Sequence, residues 1–88
     1  MSDNDSIRHA VKDFILQEFL VGEDPNSLDD ETPLVTGGIL DSIATVKLIS
    51  FLEELYKVEF EAHEMGVDHL DSLSRIASVV ESKLGTKQ

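Results

Sequence analysis

The sequence predicts an all-α fold: a small bundle of three longer helices and one short helix, with a long loop between helices 1 and 2. Three observations predict it. Apolar residues recur at helical spacing in three segments. Roughly twenty residues between the first two segments lack a period and contain both prolines. No alternating segment longer than 57–61 indicates a strand, and a length of 88 residues predicts a single domain over 1–88.

The first helix is predicted over residues 5–20. Its N-terminus is marked by Asn4, Asp5 and Ser6, which are all suitable capping residues. Gly22 and then Pro25 are expected to stop it. One face repeats apolar residues at i, i+3, i+4, i+7 and i+8, as an amphipathic helix does: Ile7, Ala10, Val11, Phe14 and Ile15.

The second helix is predicted over 42–56, with Asp41 as its N-cap. The following short helix is placed at 61–66 and closed by Gly66. The last helix is placed at 71–84, begins with a cap at Asp71 or Ser72, and ends at Gly85. The core stripe of the second helix comprises Thr45, Leu48, Ile49, Leu52, Leu55 and Tyr56; that of the last comprises Leu73, Ile76, Ala77, Val80 and Leu84.

The long loop is both acidic and partly apolar. A structureless loop of this length is unusual in a compact domain and tends to be functional. Its apolar residues are expected to tether it to the core: Leu28, Leu34, Val35, Ile39 and Leu40. Its acidic residues are Glu23, Asp24, Asp29, Asp30 and Glu31.

The charge balance excludes several function classes. Seven Lys and Arg residues against 18 Asp and Glu residues give a formal net charge of −11. Nucleic acid and anionic membranes need basic patches, so we expect neither as a partner. No apolar run approaches the ~20 residues of a membrane span, and the acidic N-terminus lacks an apolar signal core. We expect a soluble, monomeric, cytoplasmic protein whose partners present basic surfaces.

No motif indicates catalysis or a resident metal. Without cysteine there is no disulfide, thiolate ligand or cysteine nucleophile. His9, His63 and His69 lack the spacing of zinc ligands, so they are interpreted as surface residues. The run that starts at Asp24 resembles a calcium loop only at its first positions, and Val35 stands where a glutamate is required. We expect no enzyme activity.

One segment stands apart: Gly37-Gly38-Ile39-Leu40-Asp41-Ser42-Ile43. It places the hydroxyl of Ser42 in the first turn of a helix, directly after a glycine-containing loop. A phosphate ester there would gain from free backbone N–H groups and the helix dipole. On the residues alone, an ordinary Asp-Ser helix start is the simpler interpretation.

The sequence from Gly38 to Tyr56 resembles the acyl carrier protein family, which includes peptidyl, aminoacyl and D-alanyl carriers. Members open the second helix with an Asp-Ser-Leu-like tripeptide and end it with Glu-Glu and an aromatic residue. The resemblance extends over nearly the whole chain, because helix order, loop and length agree.

The resemblance implies that Ser42 receives 4′-phosphopantetheine from coenzyme A, and that Asp41 assists its Mg²⁺-dependent transfer. The arm would carry an acyl or aminoacyl group as a thioester. The implied partners are a phosphopantetheinyl transferase, an acyl- or aminoacyl-activating ligase, and downstream transferases or synthases. Such carriers serve fatty acid, polyketide or nonribosomal peptide biosynthesis.

The resemblance also implies a docking surface on the second helix. Ile43 and Val46 could form an apolar docking patch, or could simply pack beneath the loop. Glu53 and Glu54 match the acidic end of the family's recognition helix, although a solvated helix face explains them equally well.

The chain departs from the fatty-acid type at three positions. Ala44 and Lys47 stand where those carriers usually have acidic residues, and a lysine there should repel a basic docking patch. Gly38 lies three residues before Asp41 rather than two. This glycine spacing resembles that of stand-alone D-alanyl or secondary-metabolism carriers, so we expect a specialised carrier. The alternative is an unmodified acidic docking module that retains the fold.

Overall fold

The computed structural model describes residues 3–20, 22, 24 and 28–85. Its helices are α1 (Asp3–Glu18), α2 (Ser42–Tyr56), the 3₁₀ helix Ala62–Met65, α3 (Val67–Leu70) and α4 (Leu73–Gly85). None of these residues lies in a β-strand. The predicted all-α bundle is therefore confirmed. Its short third element consists of the 3₁₀ helix and the single turn α3, which are separated by Gly66 in an extended conformation.

The ends of two helices differ from the sequence expectation. α1 ends at Glu18, where the backbone N–H groups of Phe19 and Leu20 both donate to the carbonyl of Ile15, at 2.9 and 3.1 Å. These bonds close the last turn before Gly22 is reached. The predicted stop residue Pro25 lies outside the described residues, as does Glu23 of the acidic loop.

α4 begins at Leu73 because Ser72 provides its N-terminal cap. The Ser72 hydroxyl accepts from the backbone N–H of Arg75 at 3.2 Å, and the Ser72 carbonyl accepts from Ile76 at 3.0 Å. The side chain of Ser72 is almost fully buried, so this cap also satisfies a polar group that would otherwise lack a partner. Of the two predicted caps, Ser72 is therefore the one used, and Asp71 has a different role, described below.

The core lies between the helices and beneath the loop, and α1 packs most extensively against α4. The loop contributes as predicted, since Leu28, Leu34 and Leu40 are buried while Val35 and Ile39 are partly buried. Burial of each such leucine contributes about 1.5–3 kcal/mol relative to exposure. The largest fully buried helical side chains are Ile7, Val11, Ile15, Leu48, Leu52, Leu70, Leu73, Ile76 and Val80.

The buried face of α2 is rotated relative to the predicted stripe. Leu55 was expected in the core but is 49% exposed, whereas Ala44 is buried. Phe51, one turn before Leu55, already covers the side of α2 towards α1, because its ring stacks on Phe14 with centroids 4.3 Å apart. Leu55 therefore lies at the edge of the packed face. The buried side chains of α2 are Ala44, Leu48, Ile49 and Leu52.

α2 ends at a residue with left-handed backbone conformation. Lys57 has φ 57° and ψ 46°, and its backbone N–H donates to the carbonyl of Glu53. Because this conformation disfavours residues with a Cβ atom, Lys57→Gly is expected to raise the free energy of unfolding by about 0.5–1 kcal/mol in urea titrations. Lys47→Gly within the same helix should lower it by about 1 kcal/mol. Destabilisation by Lys57→Gly would contradict this interpretation of the helix end.

Candidate functional site

The loop residues that precede α2 form a closed turn. Leu34 is fully buried, and its carbonyl accepts from the backbone N–H groups of Ile39 at 2.9 Å and Leu40 at 2.8 Å. Gly38 has φ +83°, a conformation that L-residues rarely adopt. A Cβ atom on Gly37 would lie 2.3 Å from the carbonyl oxygen of Pro33, so only glycine fits there. The two glycines are thus required by the turn that leads into α2.

Asp41 caps α2 and Ser42 is the first residue of that helix. The Asp41 side chain has an oxygen that accepts from the backbone N–H of Ala44 at 2.8 Å, and its carbonyl accepts from Thr45 at 2.8 Å. The Asp41 side chain thus satisfies one of the backbone N–H groups that the start of a helix leaves without a partner. Ser42 is exposed, so its hydroxyl is open to a reagent from solvent.

An open groove of about 520 Å³ adjoins Ser42. It is formed by the loop turn, α2 and the 3₁₀ helix, and most of its surface is apolar. The sequence did not predict that the 3₁₀ helix contributes to this groove. The apolar residues Met65 and Val67 on either side of Gly66 could have indicated an apolar surface there. The lining residues are Val35, Leu40, Asp41, Ser42, Thr45, Val46, Ile49 and Met65.

The surface beside Ser42 combines apolar and charged side chains. Ile43 and Val46 are 69% and 62% exposed, so neither packs beneath the loop. Lys47 and Glu54 are also exposed, and their positions, four and eleven residues after Ile43, place them on the same side of α2. Met65 of the 3₁₀ helix lines the same groove as Val46 and is 41% exposed, which extends the apolar surface.

Glu53 and Ala44 have structural roles in α2. Glu53 is partly buried, and its carboxylate accepts from the backbone N–H of Phe60 at 2.8 Å. This bond fixes the chain as it leaves α2. Ala44 is buried, so the absence of an acidic side chain there reflects packing, and only Lys47 changes the exposed charge beside Ser42.

Three carboxylates of the loop make contacts within the protein at its surface. Asp30 pairs with Arg8 of α1, and Glu31 accepts from the hydroxyl of Ser74 at 2.7 Å. The hydroxyl of Thr32 and the backbone N–H of Glu31 donate to Asp29 and lower the pKa of its carboxyl. These carboxylates attach the loop to α1 and α4 or shape it locally.

Asp71 joins the turn before α2 to the start of α4. One oxygen of its carboxylate accepts from the backbone N–H groups of Val35 and Thr36, each at 2.9 Å. The hydroxyl of Thr36 donates to both oxygens, at 3.2 and 2.9 Å, and the Asp71 carbonyl accepts from Leu34 at 2.8 Å. The N–H of Thr36 is the largest influence that lowers the pKa of the Asp71 carboxyl below its usual value.

The histidines do not form a metal site with other side chains. Across the described part of the chain, no group of three or more His, Cys, Asp or Glu residues could hold a metal ion. His63 and His69 lie with ring centroids 6.5 Å apart, beside an open cleft between α3 and α4 that includes Arg75. No helix within the described residues has the length and apolar character to cross a bilayer.

Comparison with known proteins shows what the chain resembles. The D-alanyl carrier protein of Streptococcus uberis is 33% identical over 73 residues, which covers 81% of this chain and 91% of that protein. The one from Leuconostoc citreum is 29% identical over 79 residues, which covers 86% of this chain and 99% of that protein. No family model matches.

A solved structure shares the fold. One chain of the structure described as "Crystal structure of FAD-dependent dehydrogenase" superposes with a TM-score of 0.73 at 31% identity, covering 80% of this chain and 97% of that chain. The relatives named above are carrier proteins, which are non-catalytic and work with partner ligases and transferases. The chain belongs to the carrier-protein family that includes the D-alanyl carrier proteins.

Proposed function

We propose that the protein carries an aminoacyl group as a thioester on 4′-phosphopantetheine attached to Ser42. The observation that carries this proposal is the exposed hydroxyl of Ser42 at the start of α2, in a chain about 30% identical to D-alanyl carrier proteins. The similarity to D-alanyl carrier proteins favours an amino acid, such as D-alanine, over a fatty acyl group.

The residues around Ser42 fit a phosphopantetheine group. The start of a helix stabilises a phosphodiester anion through its dipole and unpaired N–H groups, and Ser42 holds this position in α2. The groove beside it offers apolar surface from Val46 and Met65 to the arm. The group would supply a thiol, which the chain lacks because it contains no cysteine.

Asp41 is proposed to have two roles. Its carboxylate caps α2, and in the complex with the transferase it would help to hold the Mg²⁺ that accompanies coenzyme A. Proposed partners are this transferase, an adenylating ligase that activates the amino acid, and a downstream acyltransferase. A cytoplasmic location follows from the ATP and coenzyme A that these enzymes consume.

The test is sequential loading followed by intact mass spectrometry. The protein is incubated with coenzyme A, Mg²⁺ and a broad-specificity phosphopantetheinyl transferase, and then with ATP, D-alanine and a D-alanine-activating ligase. We expect a gain of one phosphopantetheine and then of one alanyl group. Absence of the first gain would favour the alternative, an unmodified docking module. The first gain without the second would retain the carrier and exclude D-alanine.

The solved structure suggests a further partner class. Its matched chain is shorter than this one, yet the structure is described as an FAD-dependent dehydrogenase. We therefore propose that a flavin enzyme oxidises the carried group: the α proton leaves to a base, the β hydride reduces FAD, and a carbon–carbon double bond forms. Loss of two hydrogens from the loaded protein, with flavin bleaching, would support this step. An unchanged mass with oxidised flavin would exclude it for the substrate tested.

Lys47 is proposed to select partners that lack a basic patch at this position. Lys47→Glu reverses the charge on the exposed face of α2 and should lower the rate of ligase loading about three- to tenfold at low salt, with a smaller loss at high salt. Lys12→Glu makes the same charge change on α1 and is the control. Equal losses in both variants would show that net charge, and not Lys47, governs the encounter.

A further inference from the structure

We propose that Asp71 is a positioning residue for Ser42: it holds the turn before α2 in the conformation that presents the serine hydroxyl to the transferase. The inference rests on the proposed function of Ser42. It adds a residue 29 positions away in the sequence that touches neither the serine nor its cap.

Asp71 binds three consecutive residues of the turn. Its carbonyl accepts from Leu34, and its carboxylate accepts from the backbone N–H groups of Val35 and Thr36 and from the Thr36 hydroxyl. These partners lie 35 to 37 residues earlier in the chain, so the bonds close a long loop. One residue at the junction of α3 and α4 thereby fixes the backbone of the turn.

The bonds within the turn extend this constraint on the backbone from Leu34 to Ser42. The carbonyl of Leu34, whose N–H is held by Asp71, accepts from Ile39 and Leu40. Leu34 and Leu40 are both buried, so the two ends of the turn are anchored in the core. Leu40 is followed by the cap Asp41 and then by Ser42, which leaves little freedom between the turn and the attachment site.

The contacts of the turn are suited to a carboxylate at position 71. Four donor contacts converge on its side chain, and an ionised carboxylate accepts such contacts at both oxygens. An asparagine has one acceptor oxygen, which is neutral and therefore a weaker acceptor for the N–H groups of Val35 and Thr36, and its NH₂ group would replace the oxygen that faces the Thr36 hydroxyl. Asp71→Asn keeps the size of the side chain and should release part of the turn.

Release of the turn should slow the transfer reaction without unfolding the bundle. If only a fraction of molecules hold Ser42 in the competent position, the apparent KM for the carrier rises by the inverse of that fraction. We expect Asp71→Asn to raise KM about tenfold, with kcat changed less than about twofold. Thr36→Ala, which removes only the hydroxyl contacts, should show a smaller rise.

The experiment combines transfer kinetics with amide hydrogen exchange measured by NMR. Wild type, Asp71→Asn and Thr36→Ala are compared with Asp68→Asn, which makes the same charge change on α3 at an exposed side chain. Thermal melts followed by circular dichroism establish a temperature at which every variant is folded. Urea titration gives the free energy of unfolding of each variant. In Asp71→Asn, the amides of Val35, Thr36 and Leu40 should exchange faster, while the core amides of α1 and α4 keep their protection.

Each result bears on one claim. Faster exchange in the turn together with a raised KM supports the proposal, provided that Asp68→Asn behaves as wild type. Faster exchange with an unchanged KM, or unchanged exchange, would overturn it. A wild-type protein that accepts no phosphopantetheine would instead refute the proposed function, and the exchange data would still show whether Asp71 holds the turn.

Discussion

Replacing Ser42 with alanine is expected to abolish the addition of phosphopantetheine to this protein. The transferase needs a hydroxyl that can form a phosphodiester, and alanine offers none. Because Ser42 is exposed and Asp41 provides the cap of α2, the substitution should change the free energy of unfolding by less than about 0.5 kcal/mol. Intact mass after incubation with coenzyme A and transferase measures the loss, which we expect to be complete.

Ser50→Ala is the matched control for this prediction. Ser50 is also exposed, lies eight residues after Ser42 in the same helix, and has no place in the proposed attachment site. The Ser50→Ala protein should gain one phosphopantetheine as wild type does. A mass gain in Ser42→Ala that disappears in Ser50→Ala would show that Ser50 is the attachment site. A gain in both variants would show that another residue is modified.

Leu52→Ala is expected to lower the free energy of unfolding by about 2–5 kcal/mol. Leu52 is completely buried in the face of α2 that packs into the core. Truncation removes buried apolar surface and leaves a cavity that the surrounding helices fill only in part. This is a large fraction of the ~5–15 kcal/mol that stabilises a small domain, and urea titration would show it as a lower midpoint.

Leu55→Ala in the same helix distinguishes the observed packing from the predicted stripe. The apolar spacing of α2 places Leu52 and Leu55 together in the core, but Leu55 is half exposed in the structure. Its truncation should cost less than about 1 kcal/mol, because part of its surface is already in water. A loss equal to that of Leu52→Ala would show that Leu55 is buried in solution.

The helices and the glycine-containing loop before α2 could be predicted because their causes are local. Asp41 caps a helix that starts one residue later, and the stripe from Leu48 to Leu52 follows from a period of 3.6 residues. The glycines at 37 and 38 mark the turn, since the backbone there approaches Pro33 and adopts a positive φ.

Other features depend on partners far away in the sequence. Asp71 is of a residue type that often caps helices, but its carboxylate binds residues of the loop, and Ser72 caps α4 instead. The bond between the Glu53 carboxylate and the backbone N–H of Phe60 is likewise not indicated by any sequence pattern. No periodicity or capping rule indicates which of several carboxylates meets a distant N–H group, so these roles needed the structure.

The central claim is that Ser42 carries phosphopantetheine, and peptide-level mass spectrometry tests it most directly. After transfer from coenzyme A, the protein is digested and the peptide containing Ser42 and Ser50 is fragmented to locate the added group. We predict a single phosphopantetheine on Ser42, with Ser50 and the serines of α4 unmodified. An unmodified Ser42 after exhaustive reaction, or the group on another residue, would contradict this account.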